Sequence, residues 1–298
     1  MIRTEALSFT YPDGTEAVVK VNLEVKDGEF VALMGANGSG KTTLLKLLIG
    51  LLKPSSGRVF LDGKEFRSLK DREIFQRVGV VFQDPNDQLF ASTVEQDVAF
   101  GVLNLGVKPK EAAHRVAGAL KMVGASDLAG KAIHTLSFGQ KRRAALAGVL
   151  AMEPKTILLD EPTSGLDPRS ITPIMLLLRR LNQEHGITML MATHDVELVP
   201  LFCDQIVVMH KGRVIAKDTP QNILGDPELT RQVSLRLPRV AHLAEILQKE
   251  DGVNFQSIPL TIGEARREFL RLYGHKHECI IGTAKRGWES RYEGESTT

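Results

Sequence analysis

Glycines and a lysine at residues 35–42 form the clearest chemical pattern in the sequence. The stretch reads GANGSGKT and matches G-x-x-x-x-G-K-[ST] between an apolar strand-like run and a helix-like run. Glycines let successive backbone N–H groups curve around a phosphate, and the start of the following helix adds its dipole. Lys41 would neutralise the β and γ oxygens, and the Thr42 hydroxyl would hold Mg²⁺. The pattern therefore predicts binding of a nucleoside triphosphate.

Two adjacent carboxylates follow a second apolar run. Residues 157–161 read ILLDE, which would deliver Asp160 and Glu161 to the C-terminal edge of a sheet, where open α/β sheets bind ligands. Asp160 suits the Mg²⁺ shell, and Glu161 is placed to polarise an attacking water. Alone, an acidic pair after a strand is more often a solvated loop. Beside a phosphate loop, it predicts hydrolysis of the bound triphosphate.

A third stretch carries charges of an unexpected sign. Residues 136–148 read LSFGQKRRAALAG, and Ser137 is a typical N-cap residue before good helix-forming sequence. Lys141, Arg142 and Arg143 would then lie in the first turns, where the helix dipole disfavours cations by about 0.3 kcal/mol each. The arrangement raises the question of which anion faces this helix start.

Composition limits the class of protein. The 298 residues are 43% hydrophobic and 25% charged with net charge +2, which is typical of a soluble globular protein and gives no reason to expect nucleic acid. No apolar run approaches the roughly 18–20 residues that span a bilayer, and the N-terminus lacks a signal-peptide pattern. Cys203 and Cys279 form no redox or metal pattern together. We expect a reducing cytoplasm, with any membrane reached through a partner.

Strand-like and helix-like patterns alternate along most of the chain. The first 25 residues alternate apolar and polar positions around a turn at 11–14, which predicts antiparallel β-structure. Strand candidates follow at 29–35, 57–63, 78–83, 156–162, 187–194 and 205–216. Helices are expected at 42–52, where Pro54 and Gly57 would end the helix, near 170–185 and near 195–201, and helical patterns dominate 84–150. Short helices are also expected at 219–233 and 243–248, and one more at 262–274. The alternation favours an α/β fold with a mainly parallel sheet covered by helices.

Six short motifs occur in an order that resembles one family. They are the phosphate loop at 35–42, Gln83 closing VVFQ, LSFGQ at 136–140, ILLDE at 157–161, SGLD at 164–167 and THD with His194. In this order they resemble the nucleotide-binding subunit of an ABC transporter. The resemblance implies a P-loop NTPase cassette over residues 1–220, with an antiparallel N-terminal β-subdomain, a helical signature subdomain at about 84–150, and a small C-terminal extension at 221–298.

The resemblance also implies the residues that bind ATP and Mg²⁺ in the chain's own cleft. Tyr11 would stack on adenine, although an aromatic residue before a turn has a simpler structural explanation. Gln83 would touch Mg²⁺ and the attacking water, and His194 would hold the γ-phosphate. The ATP-binding set is Tyr11, Gly35, Ala36, Asn37, Gly38, Ser39, Gly40, Lys41, Thr42 and Thr43. The catalytic set is Glu161, His194, Gln83 and Lys41, and the Mg²⁺ set is Thr42, Gln83 and Asp160.

In the resembling family two cassettes pair head-to-tail, which answers the question raised by the third stretch. Ser137, Phe138, Gly139 and Gln140 would contact ATP held by a second protomer, and Asp167 would align the two sites. At least some of the three cations would then face solvent or acidic neighbours. Phe138 departs from the usual glycine of this motif, so its bulk could alter the dimer seam.

The segment 82–106 favours one class within the family. DPNDQLF after Gln83 resembles the energy-coupling factor transporters, whose ATPases dock helices of a membrane coupling subunit beside a substrate-binding membrane subunit. Leu89 and Phe90 would contact such a helix; alternatively, both pack inside the helical subdomain. We expect a peripheral subunit on the cytoplasmic face of the cell membrane, paired as a homodimer or a paralogue heterodimer.

The resemblance leaves the solute and one different class of function open. Residues 136–154 look most like the cobalt and nickel importers, with a vitamin importer of the same class second. A soluble ABC ATPase that remodels a cytosolic assembly is the alternative. His275, His277 and Cys279 could meet one metal if they lay on a strand, but three such residues in a polar tail are usually incidental, and the tail stays unassigned.

Overall fold

The computed structural model describes residues 1–273. Two compact units make up this part of the chain: the first spans Met1–Leu237 and the second begins at Pro238. Residues 221–237 lie in the first unit, and the division of the chain by function at residue 220 remains a prediction. Within the described residues, no helix is both long enough and apolar enough to cross a bilayer.

A six-stranded sheet forms the centre of the first unit. Its order is β10-β9-β3-β8-β7-β6, and every pairing is parallel except β9 with β10. Every residue of β3, β7 and β8 is buried, as expected for strands covered on both faces. The strands are β3 (Phe30–Met34), β6 (Val78–Val81), β7 (Thr156–Asp160), β8 (Thr188–Ala192), β9 (Gln205–His210) and β10 (Arg213–Asp218). The predicted mainly parallel sheet is confirmed.

A second, antiparallel sheet contains the N-terminal strands. Its order is β2-β1-β4-β5, with β1 (Ile2–Thr10), β2 (Glu16–Val25), β4 (Ser56–Leu61) and β5 (Lys64–Glu65). The predicted turn closes where the Gly14 N–H donates to the Tyr11 carbonyl at 2.9 Å. Alternate apolar side chains of β1 and β2 are buried in the same core as α1 (Lys41–Leu48). The antiparallel subdomain is thereby confirmed.

Helix α1 ends earlier than the sequence suggested. It stops at Leu48, four residues before the expected end, so Pro54 does not terminate it. Gly50 adopts φ +81°, and the N–H groups of Gly50 and Leu51 donate to the carbonyls of Leu47 and Lys46 at 3.2 and 2.9 Å. This is a glycine-based Schellman ending, which the apolar run had concealed.

Most of the remaining helices of the first unit agree with the predicted regions, whereas the short helix at 71–75 was not predicted. The helical segment at 84–150 contains α3 (Val94–Asn104), α4 (Pro109–Met122) and α5 (Phe138–Ala151), which confirms the helical subdomain. The others are α2 (Asp71–Phe75), α6 (Pro168–His185), α7 (Val199–Phe202), α8 (Pro220–Leu224) and α9 (Pro227–Gln232).

The second unit, as far as it is described, is a pair of helices. They are α10 (Arg239–Glu250) and α11 (Ile262–Tyr273), as the sequence predicted. Phe255 and Phe269 meet edge to face with ring centroids 6.0 Å apart. His275, His277 and Cys279 lie outside the described residues.

Four neighbouring parallel strands end at one edge of the large sheet. The phosphate loop follows β3, and Glu161 follows β7 directly. Gln83 and His194 lie two residues beyond β6 and β8. Asp160 and Leu33 are both register partners of Ala192, so these segments leave the sheet at the same level. The fold therefore gathers motifs that are far apart in sequence.

Candidate functional site

The phosphate loop depends on two glycines that no other residue could replace without displacement. Gly35 has φ +154° and Gly40 has φ +100°. A Cβ on Gly35 would lie 2.2 Å from the Met209 carbonyl oxygen, and one on Gly40 would lie 2.1 Å from the Ala17 carbonyl oxygen. The loop is thus pressed against the backbone on both sides, which fixes its curve before any ligand binds.

Lys41 is buried at the start of α1. The residue is only 8% exposed. Its Nζ donates to the carbonyls of Gly35 and Ala36 at 2.7 and 3.3 Å. Burial lowers the pKa of Lys41, while Glu161 and Asp160 oppose that shift. The loop carbonyls therefore hold the ammonium group inside the cradle that phosphate oxygens would fill.

Asp160 supplies a buried carboxylate beside this lysine. The residue is 5% exposed, and burial raises its pKa, against the Thr42 hydrogen bond and the charges of Lys41, Lys46 and Arg142. Hydroxyl and carboxylate oxygens are the ligands that Mg²⁺ prefers. Thr42 and Asp160 line the same cleft and fit a Mg²⁺ site at the mouth of the loop.

Glu161 and His194 form a bonded pair. His194 Nδ1 lies 3.0 and 2.9 Å from the two carboxylate oxygens of Glu161. The Glu161 backbone has φ +48°, a left-handed conformation that is uncommon for this residue type, and its N–H donates to the Ala192 carbonyl at 2.9 Å. Unusual backbone conformations of this kind cluster at functional sites. The carboxylate is aimed by both its backbone and its histidine.

An open cleft of about 540 Å³ brings these residues together. Of the residues predicted to bind ATP, Gly35 and Ala36 do not line it; their carbonyls accept hydrogen bonds from Lys41 Nζ. The predicted residues that do line it are Tyr11, Asn37, Gly38, Ser39, Gly40, Lys41, Thr42, Thr43, Gln83, Asp160, Glu161 and His194.

Tyr11 is fixed at the edge of this cleft. Its hydroxyl is 3.0 Å from Thr43 Oγ1, and its ring meets Phe9 edge to face with centroids 4.9 Å apart. The hydroxyl bond ties the turn after β1 to α1, a contact that the sequence did not reveal. The ring is therefore held at the cleft, and stacking on adenine remains the prediction for it.

The signature residues lie elsewhere. Ser137 caps α5 as predicted: its Oγ accepts from Gln140 N–H at 3.3 Å, and Gln140 Oε1 accepts from Ser137 N–H at 3.0 Å. Ser137, Phe138, Gly139 and Gln140 line a different cavity, of about 690 Å³, together with Asp167. No signature residue lines the nucleotide cleft of the same chain.

Asp167 begins α6 next to the signature. Its Oδ2 accepts from Ser170 Oγ at 2.7 Å, and its Oδ1 accepts from the N–H groups of Arg169 and Ser170 at 3.0 and 3.1 Å. The hydroxyl bond, followed by the two N–H bonds, lowers the pKa of Asp167. The loop 164–167 is thereby held in a defined shape.

Arg142 is a residue whose role the sequence did not reveal. It is 1% exposed, and it donates to the carbonyls of Phe82, Gln83 and Ser164 at 2.9, 2.7 and 3.0 Å. Burial lowers its pKa, and the charges of Asp84 and Asp160 oppose this. A positive charge is unfavourable at the start of a helix, and this was the sequence signal that could have identified Arg142.

The neighbouring cations of α5 bind neutral groups. Lys141 Nζ donates to Asn86 Oδ1 at 2.7 Å, and Arg143 donates to the Gly124 carbonyl at 2.8 Å. Both side chains are half-buried. The positive charge at this helix start is thus met by carbonyl and amide oxygens, where solvent or acidic neighbours were expected.

The segment after Gln83 presents one aromatic side chain outward. Leu89 is 8% exposed and packs inward, whereas Phe90 is 66% exposed. Asp97 accepts from the N–H groups of Phe90 and Ala91 at 2.9 and 2.8 Å, and Phe100 meets the Phe90 ring edge to face at 4.7 Å. Phe90 and Phe100 form one side of an apolar groove of about 500 Å³, whose lining also includes Phe82 and Gln88.

Comparison with known proteins agrees with this geometry. A family model described as "ABC transporter" matches residues 18–164. The energy-coupling factor transporter ATP-binding protein EcfA2 of Clostridium perfringens is 47% identical over 269 residues, which cover 90% of this chain and 94% of that protein. EcfA of Methanocaldococcus jannaschii is 47% identical, covering 93% and 99%. The chain belongs to the ABC transporter ATP-binding family.

Solved structures place the fold in the same family. The structure of cbiO1 from Clostridium perfringens, described as part of the ABC transporter complex cbiONQ, is 47% identical with a TM-score of 0.71, covering 82% of this chain and 98% of that one. A dimeric ATP-binding cassette, MJ0796, bound to ADP and Pi, is 33% identical with a TM-score of 0.67, covering 74% and 99%. The protein is therefore an ABC ATPase whose ATP hydrolysis is coupled to transport.

Proposed function

We propose that this ATPase hydrolyses ATP with Mg²⁺ in the cleft of β3, β6, β7 and β8 and energises a membrane importer. The observation that carries the proposal is a shared segment: Gln83 lines the cleft, while Phe82 and Gln88 on either side line the apolar groove. Gln88 Oε1 accepts from the Phe82 N–H at 3.2 Å. One short segment therefore connects the nucleotide with a surface suited to a partner.

The chemistry assigned to the cleft is phosphoryl transfer to water. Lys41 and the loop N–H groups bind the phosphates and stabilise developing charge, and Glu161 accepts a proton from the attacking water. His194 orients the Glu161 carboxylate, and Tyr11 stacks on the base. Mg²⁺, held by Thr42, Asp160 and Gln83, would neutralise charge on the β and γ phosphates.

A second protomer completes the site. The signature residues and Asp167 lie at a cavity separate from the cleft of their own chain, so they are available to ATP bound by another copy or by a paralogue. The dimeric state of the similar cassette MJ0796 supports this arrangement. We infer that ATP closes the dimer and that hydrolysis releases it.

The groove is assigned to a helix of a membrane coupling subunit. The exposed rings of Phe90 and Phe100 supply the apolar anchor that a helix-in-groove contact needs, and Asp97 fixes the loop that presents them. Leu89 is buried and takes no part. We infer that the protein lies at the cytoplasmic face of the membrane, held through its partner.

Cobalt or nickel is the solute we propose first. The run at 136–154 resembles the cobalt and nickel importers, and cbiO1, described as part of a transporter complex, is 47% identical. A vitamin importer of the same class is the second candidate, since relatives that are 47% identical carry the general name energy-coupling factor transporter. The ATPase does not touch the solute, so a partner must identify it.

The test is recovery of the complex from the protein's own cells. A tagged chain is extracted from membranes in mild detergent beside Phe90→Asp and, as a control at another exposed apolar side chain, Leu201→Asp, where Leu201 is 59% exposed. We expect the wild type and the control to recover a multi-helix subunit and a small membrane protein containing cobalt or nickel. Phe90→Asp should lose both and retain ATP hydrolysis.

Three other outcomes would change the assignment. A vitamin-binding membrane partner would replace the metal with a vitamin as the solute. A wholly soluble complex with cytosolic partners would reject transport by this subunit while leaving the ATPase intact. Equal recovery with Phe90→Asp would reject the groove as the docking surface.

A further inference from the structure

The guanidinium group of Arg142 joins three segments that the proposed mechanism uses separately. Its three hydrogen bonds end on the carbonyls of Phe82 and Gln83 in one segment and of Ser164 in another. The side chain itself belongs to α5, the helix that Ser137 begins. A single planar group thus links the signature helix, the Gln83 segment and the loop 164–167.

Phe138 completes this junction from the same helix. It precedes Arg142 by four residues, so the two side chains share one face of α5. The Arg142 Cζ lies 5.3 Å from the centre of the Phe138 ring, within the range of a cation–π contact. The ring also packs against Gly165, where an added Cβ would lie 3.1 Å from its edge. The unusual phenylalanine of the signature therefore has a partner within its own chain.

Stability alone gives a weak reason for burying this arginine. The bonded oxygens are carbonyls, which leave the positive charge unneutralised by direct contact, and the buried Nε has no hydrogen-bond partner among the described residues. A buried donor without an acceptor costs stability. Such costs persist where a group serves a function, because local rules are broken mainly at functional sites.

We propose that Arg142 is a positioning residue that keeps the two ATP-contacting faces in register. The proposal rests on the proposed function, in which one face serves the chain's own ATP and the other serves the partner's. If Gln83 moves when it engages Mg²⁺ and the attacking water, the guanidinium carries that movement to α5 and to loop 164–167. Ser137 and Asp167 then move with Gln83, and Phe138 keeps the guanidinium plane oriented.

The test separates nucleotide binding from turnover. In Arg142→Gln we expect the Kd of the monomer for ATP, measured by isothermal titration, to stay within about twofold, because Lys41 and its loop are untouched. We expect kcat to fall by about tenfold to a hundredfold, the range that misplacement of reacting groups produces. The kcat of Arg142→Lys should lie between those of the wild type and Arg142→Gln, since lysine keeps the charge and a donor but lacks the forked guanidinium. A role in stability alone would lower the amount of active protein and leave kcat per active site unchanged.

Dimerisation gives a second readout that does not depend on catalysis. In the Glu161→Gln background, ATP should produce a dimer by gel filtration, and adding Arg142→Gln should raise the ATP concentration needed by about tenfold. The matched control is Arg115→Gln, which removes a guanidinium from α4 whose partners are Glu111 and Glu153. The control should dimerise and turn over as the unmodified protein does.

The possible failures are distinguishable. A Glu161→Gln protein that stays monomeric with ATP would refute the shared ATP site of the proposed function, and the Arg142 proposal would fall with it. A Glu161→Gln protein that dimerises equally well with and without Arg142→Gln, together with unchanged kcat, would refute the Arg142 proposal alone. Should Arg142→Gln not fold, Arg142→Lys and Phe138→Leu decide: reduced kcat at an unchanged Kd of the monomer for ATP supports the proposal, and wild-type kcat overturns it.

Discussion

Helices α1 and α5 both begin at residues assigned to ATP, but their first turns are built differently. The N-cap of α1 is Gly40, which provides no side-chain cap, so the first N–H groups are available to a ligand. The N-cap of α5 is Ser137, which exchanges hydrogen bonds with Gln140 in a capping box. The first N–H groups of α1 are left for a ligand to bind, whereas the first turn of α5 already has hydrogen bonds from its own side chains.

The two helix starts are expected to engage ATP one after the other. The α1 start, with its rigid glycines and the buried Lys41, is preformed for phosphate and gains most from binding it. The α5 start loses little when ATP is absent, so it can wait in the monomer and engage when a partner arrives. We expect each cleft to fill first and the signature face to close second.

Removing the chemistry while keeping both helix starts gives the largest expected effect. Glu161→Gln should lower kcat by about 10²–10⁴-fold, the usual contribution of a general base, while ATP still binds and holds the dimer. Phosphate release and gel filtration with ATP measure the two effects. Glu184→Gln, at an exposed residue of α6, is the control. Turnover like that of the wild type would remove Glu161 from the mechanism.

Lys41→Ala should weaken phosphate binding at the start of α1. Loss of a charged hydrogen-bond donor to phosphate removes about 1.5–3 kcal/mol, so ATP affinity should fall by at least about tenfold. Isothermal titration with ATP measures the change, and Lys53→Ala, at an exposed lysine, is the matched control. Unchanged affinity would contradict the phosphate-loop assignment.

Ser137→Ala should act on the α5 side with a smaller effect. Loss of an N-cap costs about 1 kcal/mol, and in the Glu161→Gln background the dimer should need several-fold more ATP while the monomer's affinity for ATP is unchanged. Thr93→Ala removes the comparable cap of α3, where Thr93 accepts from Gln96 N–H, and should leave dimerisation alone. Equal effects from both caps would show that Ser137 matters only to folding.

Asp160→Asn should give the smallest effect of the four, a change in thermal stability caused by removing the buried charge beside α1. Burial raises the pKa of Asp160, so the ionised side chain costs stability at neutral pH, and that cost disappears as pH falls through the raised pKa. The asparagine variant without nucleotide should melt about 2 °C higher at neutral pH, with no advantage in acid. Thermal unfolding at several pH values checks this. Wild-type stability at neutral pH would show that Lys41 and its neighbours fully compensate the charge.

Local patterns predicted most of the architecture and the composition of the cleft. The strands before Gly35 and Glu161 are continuous apolar runs, and the rule that parallel strands end at one edge brings their following loops together. The capping box of Ser137 and Gln140 is likewise a short-range signal. Such features depend on only a few neighbouring residues, which is why they can be predicted from the sequence.

What the sequence did not reveal depends on contacts between distant segments. Arg142 turns inward because three carbonyls from residues 22 to 60 positions away converge on it. Leu89 and Phe90 are adjacent and both apolar, but the loop whose N–H groups bind Asp97 buries the first and exposes the second. The hydroxyl of Tyr11 reaches Thr43 across 32 residues. None of these contacts has a periodicity or spacing that marks it.

The exposed Phe90 and Phe100 have a consequence for the life of the protein before assembly. Outside a complex, the pair leaves an aromatic surface open to water, and exposed apolar surface of this kind is an aggregation liability. Subunits made in excess of their partner would therefore associate with one another through these rings, whereas docked subunits would have them covered. The same two rings that we assign to docking would make the solubility of the ATPase depend on the amount of its membrane partner.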